Sequence, residues 1–549
     1  MEGVSTSTAG FVGIAAKGPV GGLPQLVTNI ADFRRKYGGY LSENEFGEYR
    51  FLSYAVEHFF TNGGTRAFIS RVAPPDAKEA KSTNGGPVKF SAANVGAWGN
   101  ELSVLVTPAS KAKTQITKLI SSKQIEVKNS AGFNAGDVIV LTDGDEKKYN
   151  RVVKTQDRVL ELLEDYDDSM VDESLAPKKI LTTCEFNMDV YHDDVMENYS
   201  ELSFNINTPN YILKKIGKST LIRAELEEIP ADATSPFALL AEGEDVKEVT
   251  YTFDEGSNGS AAEITPDVFN GEDRGPGNRT GIQAFIDNSM VSIVAVPGIV
   301  DPIVQITLVN HCELLKSRFA VLDVPRDLRG TDEILAQREM FDSTYGAMYH
   351  PWLTVYDPLD KRNIAIPPSG SVIGIYARSD NERGVHKAPA NEVVRSCLGL
   401  DISYNKGEQD ILNPRGVNLI RSLPGQGIRV WGARTVSSNS LWKYINVRRL
   451  FIFVEESIKA NTNWVVFEPN DETLWSRVQR TIEVFLNGLW RGGALAGASP
   501  AEAFYVQVGR STMSQDDIDN GRLICEIGIA PVKPAEFVIF RLTQRTASE

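Results

Sequence analysis

From Val291 onward the sequence alternates short apolar runs with longer amphipathic ones. Val291-Ser-Ile-Val-Ala-Val296 precedes a helix-spaced stretch over about 301–318. Phe319-Ala-Val-Leu-Asp323 follows, then a second helical stretch over about 331–345 and the run Pro351-Trp-Leu-Thr-Val-Tyr356. Runs that are apolar at nearly every position require burial on both faces, and strands separated by helices are joined in parallel. The alternation therefore predicts a parallel sheet covered by helices. In the first helix Val304, Leu308, Cys312 and Leu315 form one stripe, which places Cys312 in the core.

The remainder of the chain has a different texture. Gly10-Phe-Val-Gly-Ile-Ala-Ala-Lys-Gly-Pro19 reads as a buried strand bounded by Gly and Pro. A helix over about 51–60, with Leu52, Val56 and Phe59 on one face, stops at Asn62-Gly63-Gly64 before the strand Ala67-Phe-Ile-Ser-Arg-Val72. Between about 76 and 281, runs such as Gln124-Ile-Glu-Val-Lys128 and Asp137-Val-Ile-Val-Leu141 are separated by turn signals including Asp143-Gly144. These predict hairpins, and hence one or two β-rich insertions. Near the C-terminus Asp471 caps a long amphipathic helix carrying Trp475, Val478, Ile482, Phe485 and Leu489 on one face. Four segments follow: 1–78, 79–281 (β-rich), 282–435 (parallel α/β) and 436–549 (α+β).

At 549 residues the chain exceeds what one hydrophobic core supports. A net charge of −15 argues against a dedicated nucleic-acid or anionic-membrane binder, because such proteins cluster Lys and Arg to displace counterions. The four cysteines are far apart and form no CxxC pair, which fits reduced thiols better than a disulfide or zinc framework. MEGVSTSTAG has neither the basic segment nor the apolar core of a signal peptide, and no long apolar run follows. Cytoplasmic production without membrane insertion is expected.

No motif carries chemistry. Ser371, in Ser369-Gly-Ser-Val-Ile-Gly374, lacks the G-x-S-x-G spacing of a nucleophile elbow, and no histidine sits in a protease-style motif. Gly217-Lys-Ser-Thr220 resembles the end of a phosphate loop, but Ile212 stands where the first glycine is needed. Gly275-Pro-Gly-Asn-Arg-Thr-Gly281 has the wrong spacing for a dinucleotide fingerprint. His311 and Cys312 are neighbours on a helix and diverge too far to share a metal, while Asp193-Asp194 and Asp516-Asp517 read as solvated turns. No catalytic residue, cofactor or metal is expected; a hydrolase is the alternative from another class.

Two C-terminal features point to partners. Phe537, Val538, Ile539, Phe540, Arg541 and Leu542 follow the stiff Pro531-Val-Lys-Pro534 and form a run whose two faces both require burial. It either completes its own domain or is donated to a neighbouring subunit. The polar side of the long helix offers Arg477, Arg480 and Glu483, with Arg491 just beyond, as either a solvated face or a charged docking face.

Several segments, in order, resemble the contractile tail sheath family of myophages, R-type bacteriocins and extracellular contractile injection systems. They are Gly3-Val-Ser-Thr-Ser-Thr-Ala-Gly-Phe-Val-Gly13, Phe59-Phe-Thr-Asn-Gly-Gly64, Gly96-Ala-Trp-Gly-Asn100, Ala460-Asn-Thr-Asn-Trp-Val-Val-Phe-Glu-Pro-Asn470, Leu489-Trp-Arg-Gly-Gly-Ala-Leu-Ala-Gly-Ala498 and Gly521-Arg-Leu-Ile-Cys-Glu-Ile-Gly-Ile-Ala-Pro531. The resemblance implies a subtilisin-like α/β core with inserted β domains and a C-terminal domain facing an inner tube, contacted through Arg477, Arg480, Glu483 and Arg491. It further implies a six-fold helical homo-oligomer around a tube protein, with baseplate and terminator proteins, and donation of Phe537 to Leu542 to a neighbour. The particle would assemble in a bacterial cytoplasm and act as part of a phage tail or extracellular injection particle, more like these than the two-protein sheath of type VI secretion. Family members usually carry an extended arm before the segment matching Gly3 to Gly13, and here only Met1 and Glu2 precede it: either the arm was removed or this is a variant without it, which bears on the N-terminal half of the strand exchange and on contraction. A capsid or fibre subunit is the other structural reading.

Overall fold

The computed structural model describes residues 1–83, 87–143, 146–166, 179–227, 235–241 and 246–537. It divides into two compact units, one of Met1–Ala15, Val20–Val72 and Ile264–Glu549, the other of Ala16–Pro19 and Ala73–Glu263.

A nine-stranded mixed sheet forms the centre of the first unit. Its strands are β1 (Ala9–Ile14), β2 (Gln25–Val27), β3 (Ala67–Val72), β4 (Ile293–Ala295), β5 (Phe319–Asp323), β6 (Gly346–His350), β7 (Glu392–Val393), β8 (Val417–Leu423) and β9 (Gly427–Val430). They lie in the order β2-β3-β1-β4-β5-β6-β8-β9-β7. From β3 to β8 neighbours run parallel, Ala9 lying between Ala67 and Ile293, while β2 and the β9–β7 pair flank them antiparallel. Every residue of β1, β3, β5 and β6 is buried, as two-sided coverage of a parallel sheet requires.

The helices used below are α1 (Leu52–Thr61), α2 (Pro302–Leu315), α3 (Ser369–Arg383), α4 (Ile445–Asn461) and α5 (Glu472–Arg491). Cys312 on α2 is buried, as its stripe predicts. The α1–α3 contact depends on Gly370 and Gly374, four residues apart on one face. A Cβ on the first would stand 2.3 Å from the Ala55 carbonyl oxygen, and one on the second 2.5 Å from that of Phe59. Phe11 and Phe59 meet edge-on in the adjoining core, ring centroids 5.6 Å apart.

Two expectations are corrected. The helix placed over 331–345 is only Thr331–Arg338. Beyond it Asp342 accepts from the amide and hydroxyl of Ser438, and Ser343 donates to Glu313, side-chain bonds that compete with helical continuation. The next parallel strand is Gly346–His350 rather than 351–356. Pro351 has no N–H to extend the ladder, and Leu353–Asp357 instead pairs antiparallel with Arg362–Ile366 in a separate three-stranded sheet.

The second unit is β-rich. Six strands close a barrel, among them Gln124–Val127 and the antiparallel pair Val138–Asp143 with Glu146–Gln156. Gly144, in the expected turn, lies outside the described residues. A seven-stranded antiparallel sheet has Glu185–His192 between Ser103–Ala109 and Val195–Leu202. Among the described residues no helix of either unit is long and apolar enough to cross a membrane.

Candidate assembly surface

Helix α5 begins where Asp471 accepts from the Leu474 amide at 2.9 Å. Leu474, Trp475, Val478, Ile482, Phe485 and Leu486 are buried beneath it; Leu489, expected on the same face, is half-buried. On the opposite side Arg477, Arg480, Val484, Gly488 and Arg491 follow helical spacing along one exposed strip, with half-buried Glu483 on its flank accepting from Gln479. Arg480 and Arg491 make no ion pair among the described residues, and Arg477 lies over the Trp464 ring, 4.2 Å from its centroid. The strip is therefore cationic on a chain whose net charge is −15.

The loop entering α5 carries a residue that the sequence pattern did not single out. Phe467 is 103% exposed, and its φ of 68° lies in the left-handed region that bulky side chains avoid. Neighbouring Val466 is 61% exposed. An aromatic held in that backbone region and fully hydrated costs stability. The readable signal was its place in an apolar triplet, Val465 to Phe467, immediately before Glu468-Pro469-Asn470.

Beneath α5 lie β10 (Phe504–Val508) and β11 (Cys525–Ile529), an antiparallel pair that forms a sheet of two strands among the described residues. Beyond β11 the chain passes Leu495, bridged to Pro531, and then Asn446, whose side-chain amide donates to the Val532 carbonyl. It is next pinned at Glu536. Arg434 donates to both Glu536 carboxylate oxygens, at 2.8 and 2.6 Å, Asn413 donates at 2.6 Å and the Tyr444 hydroxyl at 3.1 Å. Despite the opposing effect of burial, these donors hold the Glu536 carboxyl below the usual range. Phe537, 62% exposed, follows outside any strand; Val538, Ile539, Phe540, Arg541 and Leu542 lie outside the described residues.

The N-terminal segment is bound along α4. Asn461 bonds the Glu2 backbone, Ser457 accepts from the Val4 amide at 3.1 Å, and Arg449 donates to the Thr6 carbonyl at 2.9 Å. Between these contacts Gly3 rests on the Phe453 ring, where a Cβ would come within 2.7 Å. Arg449 also forms a buried ion pair of 2.5 Å with Asp380, which accepts from the Thr6 hydroxyl.

The residues considered for chemistry are mostly engaged by the chain itself. Ser371 Oγ and His58 Nδ1 stand 3.2 Å apart, but both are buried in the α1–α3 contact, and burial holds the imidazole below its usual value. No substrate reaches this pair without parting the two helices. His311 and Cys312 are both buried. Burial, aided by Arg318, holds the imidazole down to about 3, and burial pushes the thiol up to about 12. The donors of Ser219 and Thr220 bind the chain's own Glu197 carboxylate. Ligand atoms of Glu101, His192 and Asp193 lie within 4.8 Å of one another, and the Lys17 amine reaches the same point, 3.2 Å from His192 Nδ1.

Residues 278–436 match the family described as phage tail sheath protein central domain, and residues 437–545 the phage tail sheath C-terminal domain. A prophage major tail sheath protein of Pseudomonas aeruginosa (strain UCBPP-PA14) is 26% identical over 279 residues, 48% of this chain and 69% of that protein. The tail sheath protein of Escherichia phage P2 is 24% identical over 341 residues, 60% of this chain and 81% of the phage protein. The chain belongs to the phage tail sheath family. The fold of the sheath chain is shared with the helical sheath of the anti-feeding prophage in its contracted state, solved by cryo-electron microscopy. That structure is 20% identical, with 99% of this chain and 95% of that one covered and a TM-score of 0.52. Sheath membership favours a helical-particle subunit over the capsid or fibre reading.

Proposed function

We propose that copies of this sheath subunit donate their terminal strands, Phe537 to Leu542, to one another and so build a six-fold helical cylinder around a tube of a second protein. The supporting observation is the path of the chain end. It leaves β11, passes Asn446 and is held at Glu536 by Arg434, beyond a sheet that has two strands among the described residues and so can accept a further one. Repeated heterologous contacts of this kind generate a helix that does not close. The strip of Arg477, Arg480 and Arg491, with Glu483 on its flank and Phe467 beside it, docks on the tube. Exposed ion pairs contribute only about 0–1 kcal/mol each, which suits a contact released when the sheath shortens.

On this reading the parallel core is subtilisin-like in architecture only, and the chain performs no catalysis and needs no cofactor. A baseplate nucleates the cylinder and a terminator ends it. Energy stored at assembly in a bacterial cytoplasm drives the tube through a target envelope, without nucleic-acid binding or membrane insertion by the sheath. Negative-stain electron microscopy of the full chain, with and without a tube protein, tests the proposal. Helical tubes that disappear on deletion of residues 537–549 are expected; tubes formed equally by the truncated chain contradict strand donation.

A further inference from the structure

Between the end of the helix Thr331–Arg338 and the loop leading into α4 lies a cavity of about 310 Å³. Its wall is basic: Arg338, Arg415, Arg434 and Lys443 line it, against the single carboxylate of Glu339. The nearby acids are committed. Glu339 stands 3.9 Å from Arg415, Glu536 is held by Arg434, and Asp342 is bound by the amide and hydroxyl of Ser438.

That leaves two cations without an ion pair among the described residues. Arg338 donates through Nη1 to the Phe341 carbonyl, but its Nε is buried with no partner. Gly416 permits the approach of this guanidinium: a Cβ there would lie 3.2 Å from Nε, on backbone already at φ 90°. The Lys443 ammonium sits over the Tyr444 ring, 4.8 Å from its centroid. Burial weakens the Arg338 cation, Asp342 and Glu339 offset this in part and Arg415 repels it, so a further anion beside its unpartnered Nε stabilises the charge.

We propose that this cavity is an oxyanion site, holding one phosphate or carboxylate group between Arg338 and Lys443. A planar guanidinium offers paired donors to such a group and an ammonium a point charge, and the Ser440 hydroxyl on the same wall adds a further donor. The cavity also accommodates the group's remaining water, at about 30 Å³ per molecule. The oxyanion is either free phosphate or a carboxylate from a second copy of this acidic chain. The site itself does not depend on the assembly proposed above.

Inorganic phosphate is titrated calorimetrically into the full chain and into R338M and K443M, at ionic strength matched with chloride. Saturable binding by the parent chain, weakened at least tenfold in K443M, is expected, and in R338M also if that variant keeps the parent's circular dichroism spectrum. Lys443 makes no ion pair, so K443M decides the matter if R338M fails to fold. No saturable phosphate binding, or equal binding by the parent chain and K443M, overturns the proposal. Sedimentation of assembled chains then distinguishes the sources. Tubes dissolved by phosphate in the parent chain but not in K443M assign the site to a neighbour's carboxylate, and indifference to phosphate assigns it to the free anion.

Discussion

Gly370 and Gly374 let the Ala55 and Phe59 carbonyls approach α3 more closely than a β-carbon allows. The Ser369-Gly-Ser-Val-Ile-Gly374 motif is thus a helix-crossing device rather than a displaced nucleophile elbow. Replacing Gly374 with Val should cost the first unit about 3 kcal/mol or more, since backbone atoms cannot yield as side-chain tips do. A calorimetric transition at the parent's temperature would contradict this. Asp323, at the end of β5, is fully buried, and burial pushes its carboxyl up to about 6 against the pull of donors from Gly298 and Ser369. That value lies above the ordinary one near 3.9. Its contribution to stability is therefore full below about pH 4 and is lost as the pH rises through about 6, an effect of about 3 kcal/mol. The difference in unfolding free energy between the parent chain and Asp323→Asn should shift against the parent by that order between pH 4 and 7. A difference independent of pH would contradict the assignment.

Elements differ in how much of them was legible. Strands β1, β3, β4 and β5 could be read because two-sided burial demands unbroken apolar runs, whereas β6 was placed too late and β8 was not singled out; α5 could be read because its Asp471 cap and apolar stripe are local properties. Contacts across long sequence separations could not be read: Glu2 with Asn461, Thr6 with Arg449, Glu536 with Arg434. The backbone angle of Phe467 was hidden too, since nothing in residue type signals a left-handed Phe. At this scale two tests follow. Glu536→Gln should leave the fold intact but lower tube yield severalfold, because one clamp oxygen becomes a donor facing Arg434. As the folded Glu536 value lies below the ordinary one near 4.3, the clamp is secure above that pH and fails as the pH falls through the folded value. Unchanged tube yield in Glu536→Gln would remove the clamp from the account. Reversing Arg477, Arg480 and Arg491 to Glu should cost no more than about 2 kcal/mol of stability, Arg477 losing its place over Trp464, and abolish salt-sensitive co-sedimentation with a tube protein. Retained co-sedimentation would leave the strip a solvated face.

At the scale of the whole molecule, the sheath family was recognisable because its matching segments occur in order at both ends of the chain. What they could not convey is where the chain end is directed. Order in sequence carries no direction in space, and the pinning at Glu536 is built from Asn413, Arg434 and Tyr444, all remote from it along the chain. The central claim is that residues beyond this pin enter another subunit. The measurement that decides it is a cryo-electron microscopy map of tubes assembled from the full chain, traced onward from Glu536. The account predicts density for Phe537 to Leu542 as a strand beside β10 or β11 of a neighbouring subunit. Density folding that strand back onto the sheet of its own chain would contradict it.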